Sequence, residues 1–431
     1  MRALRLGSPE ATAFLAALRE RARAPAPEVE AAVSAILRDV RLRGDAALFD
    51  YTEKFDGIRL DEGTLCVPAD DLETAASSLP PEVREALALA ASRIERFHRR
   101  QHRESWFYEE DGAGLLGQLV RPLARVGLYV PGGSAAYPST VLMNGIPARV
   151  AGVTELVICT PPGRDGRVPA EVLAAAGLLG IREIYRVGGA QAVGALAFGT
   201  ESVRPVDKIV GPGNAYVAAA KRLVFGVVGI DMLAGPSEVL IVADETAPAP
   251  WVAADLLAQA EHDPAASALL VTPSVSLAEA VRAEVTRQLA TLPRMDLAAE
   301  ALRRFGAAIL VPDLPAALDL ANTIAPEHLE LMVADPWALL GSVRSAGAVF
   351  LGAHTPEVAG DYLAGPNHVL PTAGTARWSS PLSVEDFQKR CSLLSLQPET
   401  LRRWRDPITC LARIEGLEAH ARSITIRTDA P

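Results

Sequence analysis

A chain of 431 residues that is 49% hydrophobic and 22% charged has enough apolar mass for a large core, which excludes intrinsic disorder and a single small domain. Its 42 basic and 52 acidic residues leave a formal charge of −10 without a basic cluster, so no nucleic-acid partner is expected. No apolar run nears the ~20 residues that span a bilayer, no signal core opens the chain, and Cys66, Cys159, Cys391 and Cys410 are too scattered for a disulfide framework; a soluble cytoplasmic protein is expected.

Residues 1–110 read as a mainly helical region that contributes in part to a first α/β domain. Pro25 and Pro27 break an early helix, and Pro80-Pro81 precede another over 83–102. That helix is rich in arginine, so His98 and His102 are expected on its solvated face. From Val126 short β-rich runs alternate with helices. Strands are expected at 126–130 (ending in Pro131-Gly132-Gly133), 156–160, 183–187, 208–210 and 229–231, with helices at 140–152, 170–179, 190–198 and 214–224. A second series has strands at 239–243, 268–271, 308–311, 328–333 and 348–351, with helices at 250–261 and 277–292 among them. Strands alternating with 10–15-residue helices imply parallel sheets covered on both faces, hence two doubly wound α/β domains over about 120–236 and 237–375. The alternation stops after Gly374, and segment 376–431 reads as a helical tail from about 383 to 422.

Three glycine-rich turns end strands of the first series, and each has a polar or aromatic side chain at its tip: Tyr129, Gln191 and Asn214. Such turns can offer backbone N–H groups at a helix start to an anion such as a dinucleotide pyrophosphate, or serve simply as tight connections. Seven histidines are informative by their neighbours. His354, beside Thr355 and Glu357, reads as structural. Gln259 and His262 are spaced i,i+3 at a helix end and share a face. Glu327-His328 puts two titratable groups in a loop before a strand, a common setting for acid–base chemistry. Asp361 and His368 bracket a Gly/Pro loop, and Glu415 and His420 lie in the tail. Each group alone also fits a solvated or structural role, and their spacing alone does not reveal a metal site. No cysteine has a neighbouring histidine base, so a thiol nucleophile is not expected.

The segments GLYVPGG, YPSTVLMN, VGGAQAV, VGPGNAYV, AGPSEVLI, LLAQAEHD, NTIAPEHLEL, AGDYLAGPNHVLPT, GTARWSS and GLEAHARS, in this order, resemble the histidinol dehydrogenase family. Departures are mild: Trp378 and Pro381 replace the expected Phe and Gly, and Ala373 stands where Gly is usual. The resemblance implies NAD-dependent, four-electron oxidation of L-histidinol to L-histidine through L-histidinaldehyde, the last step of histidine biosynthesis. It implies two incomplete Rossmann-like domains, similar to the aldehyde dehydrogenase architecture, with helical segments at both ends. One zinc ion per site would be held by Gln259, His262, Asp361 and His420. Ser237, His328 and Glu415 would join those ligands in contacting substrate, and His368 would line the same pocket. Tyr129, Gln191 and Asn214 would contact NAD. Glu327 would activate water and His328 would act as general base in both steps. The resemblance also implies a homodimer with exchanged C-terminal tails. A zinc hydrolase is the alternative, with Glu327 activating metal-bound water, but it leaves Tyr129, Gln191 and Asn214 without a role.

Overall fold

A computed structural model describes residues 1–21, 27–110, 113–132 and 136–429. Pro25 and Gly133, assigned above to a helix break and a strand-end turn, lie outside them. The chain opens with β1 (Arg2–Arg5), runs through helices to His98, and then forms β2 (Trp106–Glu110) and β3 (Gly114–Pro122). A first βα series supplies β4 (Arg125–Tyr129), β5 (Glu155–Cys159), β6 (Glu183–Tyr185), β7 (Lys208–Val210) and β8 (Gly229–Ile230). A second supplies β9 (Glu238–Ala243), β10 (Ser267–Thr272), β11 (Gly306–Leu310), β12 (His328–Met332) and β13 (Ala348–Leu351). One more strand, β14 (Gln388–Leu396), precedes two final helices, Pro398–Ile414 and Glu418–Thr428.

The first series forms a five-stranded parallel sheet, ordered β6-β5-β4-β7-β8. The second forms a six-stranded parallel sheet, ordered β1-β11-β10-β9-β12-β13. Helices cover both faces of each, so the central strands are buried along their length, as in β9 (EVLIVA). Side chains alternate between faces: Val239 and Ile241 enter one core, Leu240 and Val242 the other. The fold is thus two Rossmann-like α/β units with helical segments at both ends. Among the described residues no helix is long and apolar enough to cross a membrane.

Two expectations are corrected and one is extended. The N-terminal region, mainly helical, serves both units. Helices Pro27–Arg43 and Pro81–His98 do cover the first sheet, but β1 pairs with β11 and the helix Pro9–Glu20 packs Phe14 and Leu18 into the second core. The tail begins as a strand: β14 pairs antiparallel with β3 over nine residues, and β2 completes a small separate sheet. Finally, His98 is fully buried rather than solvated, although His102 is exposed. His98 Nδ1–H donates to Ile94 O (3.0 Å), and Asn367 Nδ2 donates to its Nε2 (3.2 Å) and to Met143 O (2.6 Å). That network ties the loop after β13 to helices of the first unit.

Candidate active site

In the second sheet β9 and β12 begin side by side, with His328 opposite Val239. The catalytic candidates therefore sit at the amino edge of this sheet. The backbone of one residue holds both. Glu238 N–H donates to Glu327 Oε2, and Glu238 O accepts from His328 Nδ1–H, each at 2.9 Å. Fixing the proton on Nδ1 leaves Nε2 with its lone pair; it has no hydrogen-bond partner and lies 3.9 Å from Asp361 Oδ1. Both side chains are buried. Burial pushes the Glu327 carboxyl well above its ordinary range and the His328 imidazole down to about 3, with His262 and His368 adding repulsion to the latter. Arg21, at the end of the first helix, fastens this corner: it pairs with Glu238 Oε1 and donates to Ala265 O, both at 2.5 Å.

Beside the pair lies a cluster of ligand atoms. The helix Ala249–Ala260 delivers buried Gln259, while His262 stands in the turn just past the helix end rather than on its last turn. Glu357 and Asp361 come from the short helix Glu357–Tyr362 at i,i+4 spacing. Ligand atoms of His262, Glu357 and Asp361 lie within 4.8 Å of one another. One terminal atom of the Gln259 amide is 2.8 and 3.0 Å from the two Glu357 carboxylate oxygens, so that atom is the nitrogen. Burial pushes Asp361 up to about 6 and Glu357 well above its usual range, the latter helped by Asp361 and Glu330. Behind the cluster, Glu330 Oε1 accepts the Glu357 N–H at 2.9 Å. Nitrogen and oxygen donors at this separation fit zinc. Sequence reasoning missed Glu357 as a member; its i,i+4 relation to Asp361 was the available signal.

At the carboxyl edge of the first sheet, Tyr129 OH accepts the Gly189 N–H at 3.1 Å, and burial pushes its phenol up to about 12. Gln191 is buried close by, with Oε1 unpartnered. Asn214 is exposed and caps the helix Ala215–Val224, accepting from Tyr216 and Val217 N–H at 3.0 and 3.1 Å. Gly211 has φ of 115°, and a Cβ there would lie 2.1 Å from Tyr129 O, so only glycine fits. Asp231 accepts the Gly211 N–H (2.7 Å), Lys221 donates to Gly211 O (2.9 Å), and the two side chains form a buried ion pair. Neither residue was singled out in the sequence.

The remaining candidates divide. Ser237 is half-buried immediately before Glu238, and half-buried His368 has its imidazole pushed down to about 4 by burial. Glu415 is exposed in the turn after the helix Pro398–Ile414 and His420 on the helix Glu418–Thr428, and these last two helices pack chiefly on one another. No hydrogen bond or ion pair among the described residues joins either to Glu327, His328 or the Gln259 cluster.

An α/β enzyme is what this arrangement defines, with acid–base groups and metal-type ligands at one sheet edge and anion-ready loops at another. The family model described as histidinol dehydrogenase matches residues 19–428. A histidinol dehydrogenase of Geobacillus kaustophilus is 56% identical over 402 residues, covering 93% of this chain and 94% of that one. One from Bacillus subtilis is 53% identical over 395 residues, covering 92% of each. The crystal structure of histidinol dehydrogenase from Elizabethkingia anophelis superposes with a TM-score of 0.92 at 37% identity, covering 100% of this chain and 98% of that one. The chain belongs to the histidinol dehydrogenase family.

Proposed function

We propose that this protein oxidises L-histidinol to L-histidine through L-histidinaldehyde, the closing step of histidine biosynthesis, in the cytoplasm as a homodimer. The observation that carries the reading is the backbone of Glu238, whose N–H and C=O hold Glu327 and His328 at 2.9 Å each and leave His328 Nε2 open. NAD, when bound, supplies the acceptor for the electron pair of each oxidation. Zinc, when bound, orients the substrate. Gln259, His262 and Asp361 would hold it, with the partner subunit's His420. Tyr129, Gln191 and Asn214 are the groups assigned to NAD, and Ser237, His368 and Glu415 to substrate.

His328, kept unprotonated by burial, receives the alcohol proton at Nε2 as the carbinol carbon loses its electron pair. Glu327 then takes a proton from the water that adds to the aldehyde; burial, which raises its proton affinity, makes it the stronger base. One of its oxygens is occupied by Glu238 N–H, leaving the other for water. The proton on His328 Nε2 passes to the carbonyl oxygen as water adds, so the imidazole is neutral again when the hydrated aldehyde gives up its second electron pair.

Mixing protein, NAD and histidinol should yield two NADH per histidine without free aldehyde. One NADH per substrate, or accumulating aldehyde, would overturn the scheme. Glu327→Gln should slow histidine formation from added histidinaldehyde by about 10²–10⁴-fold. Full activity of that variant on the aldehyde would remove Glu327 from the water-activating role.

A further inference from the structure

We infer that Glu357 is a positioning residue that sets which end of the Gln259 amide faces the ligand cluster. The inference rests on the zinc reading above. A glutamine amide can ligate zinc only through its oxygen, yet its two ends are almost the same size, and packing alone selects weakly between them. Glu357 selects strongly. Both its oxygens lie against one amide terminus, at 2.8 and 3.0 Å, and two carboxylate oxygens require an N–H donor. The other close group, His328 Nδ1 at 3.2 Å, already donates its hydrogen to Glu238 O and accepts nothing. With the nitrogen engaged by Glu357, the carbonyl oxygen occupies the opposite branch and is free to ligate.

Glu357 is itself well held. It is buried, its N–H is bound by Glu330, and its place one helical turn before Asp361 couples the amide to a second ligand. Carboxylates that hydrogen-bond a metal ligand in this way orient it, and their loss weakens metal binding by about 10–100-fold.

The test is a double-mutant cycle on the full chain, stripped of metal and titrated with zinc against a chromogenic chelator. Glu357→Gln should weaken zinc about 10-fold or more, because one carboxylate acceptor becomes a donor. In a Gln259→Glu background both termini at 259 are oxygens and orientation no longer matters, so adding Glu357→Gln should not weaken zinc further. Circular dichroism confirms that each variant folds. Cobalt(II) loaded to saturation should give the same visible bands in wild type and Glu357→Gln, since the coordination number is unchanged. Unchanged zinc affinity in Glu357→Gln would overturn the inference. Equal weakening in both backgrounds, or altered cobalt bands, would make Glu357 a direct ligand and also overturn it. Absence of zinc binding by the wild type would reject the zinc reading itself, a result none of the variant comparisons can produce.

Discussion

Ala373 holds a φ of 61°, in the left-handed region that costs a residue with a Cβ about 1–2 kcal/mol. Ala373→Gly should relieve that strain, less about 0.4–1 kcal/mol of added unfolded-state entropy, leaving a net gain of up to about 1 kcal/mol in denaturant unfolding. A loss of stability would show that the strain is absorbed elsewhere. His98 gives a pH prediction. Burial lowers its pKa below 6.5, so its contribution to stability is complete above that value and lost as pH falls through the folded pKa. Urea titrations near pH 7.5 and 5.5 should show a smaller loss for His98→Gln than for wild type. The sequence misplaced His98 because the arginines around it mark the helix as solvated, and a burial set by distant Asn367 leaves no local trace. Glu327-His328 was legible as a titratable pair. The device that holds it was not, because backbone atoms of Glu238 do the holding and carry no residue signature.

The loop between β7 and the helix Ala215–Val224 depends on side chains from two other places. Lys221 lies on that helix and Asp231 just after β8, and together they grip the N–H and the C=O of Gly211. Lys221→Met would leave Asp231 buried without its counter-charge, a loss of about 3–5 kcal/mol. The variant should unfold at lower denaturant and, while folded, show weaker NAD binding with little change in the KM for histidinol. Adding Asp231→Asn should recover part of the stability, since the uncompensated charge is gone. Equal damage to both substrates' kinetics would deny the clamp a specific link to the loop assigned to NAD. The parallel strands were legible because continuous apolar runs such as EVLIVA belong to doubly covered sheets. β14 was not: QKRCSLLSL is largely exposed, and its strand form comes from the ladder with β3, far earlier in the chain, with Gln388 opposite Pro122. Strand preference of that origin lies in the partner rather than the segment.

The assigned residues lie at opposite edges of the two sheets: β4 ends at Tyr129 and β7 at Val210, just before Gly211, while β9 and β12 begin at Glu238 and His328. One chain nevertheless leaves Glu415 and His420 outside, in and just beyond the turn that joins two helices packed chiefly on each other. The same region exposes Trp106, Phe107 and Tyr108 on β2, Leu394 on β14, and Leu411, Ile414 and Ile426 on the tail. In the proposed homodimer a second copy would cover these side chains, and a two-fold pair would let each tail reach the other's ligand cluster. The decisive experiment mixes two inactive variants, Gln259→Ala and His420→Ala, after joint refolding. With exchanged tails, a heterodimer has one site carrying both lesions and one site carrying neither. An equal mixture, half heterodimer, should then recover about a quarter of wild-type activity. With each tail serving its own subunit, every site retains one lesion and the mixture stays inactive. Silence in a mixture shown by mass spectrometry to contain heterodimer would therefore reject tail exchange. Activity proportional to heterodimer content would place the partner subunit's His420 in each site.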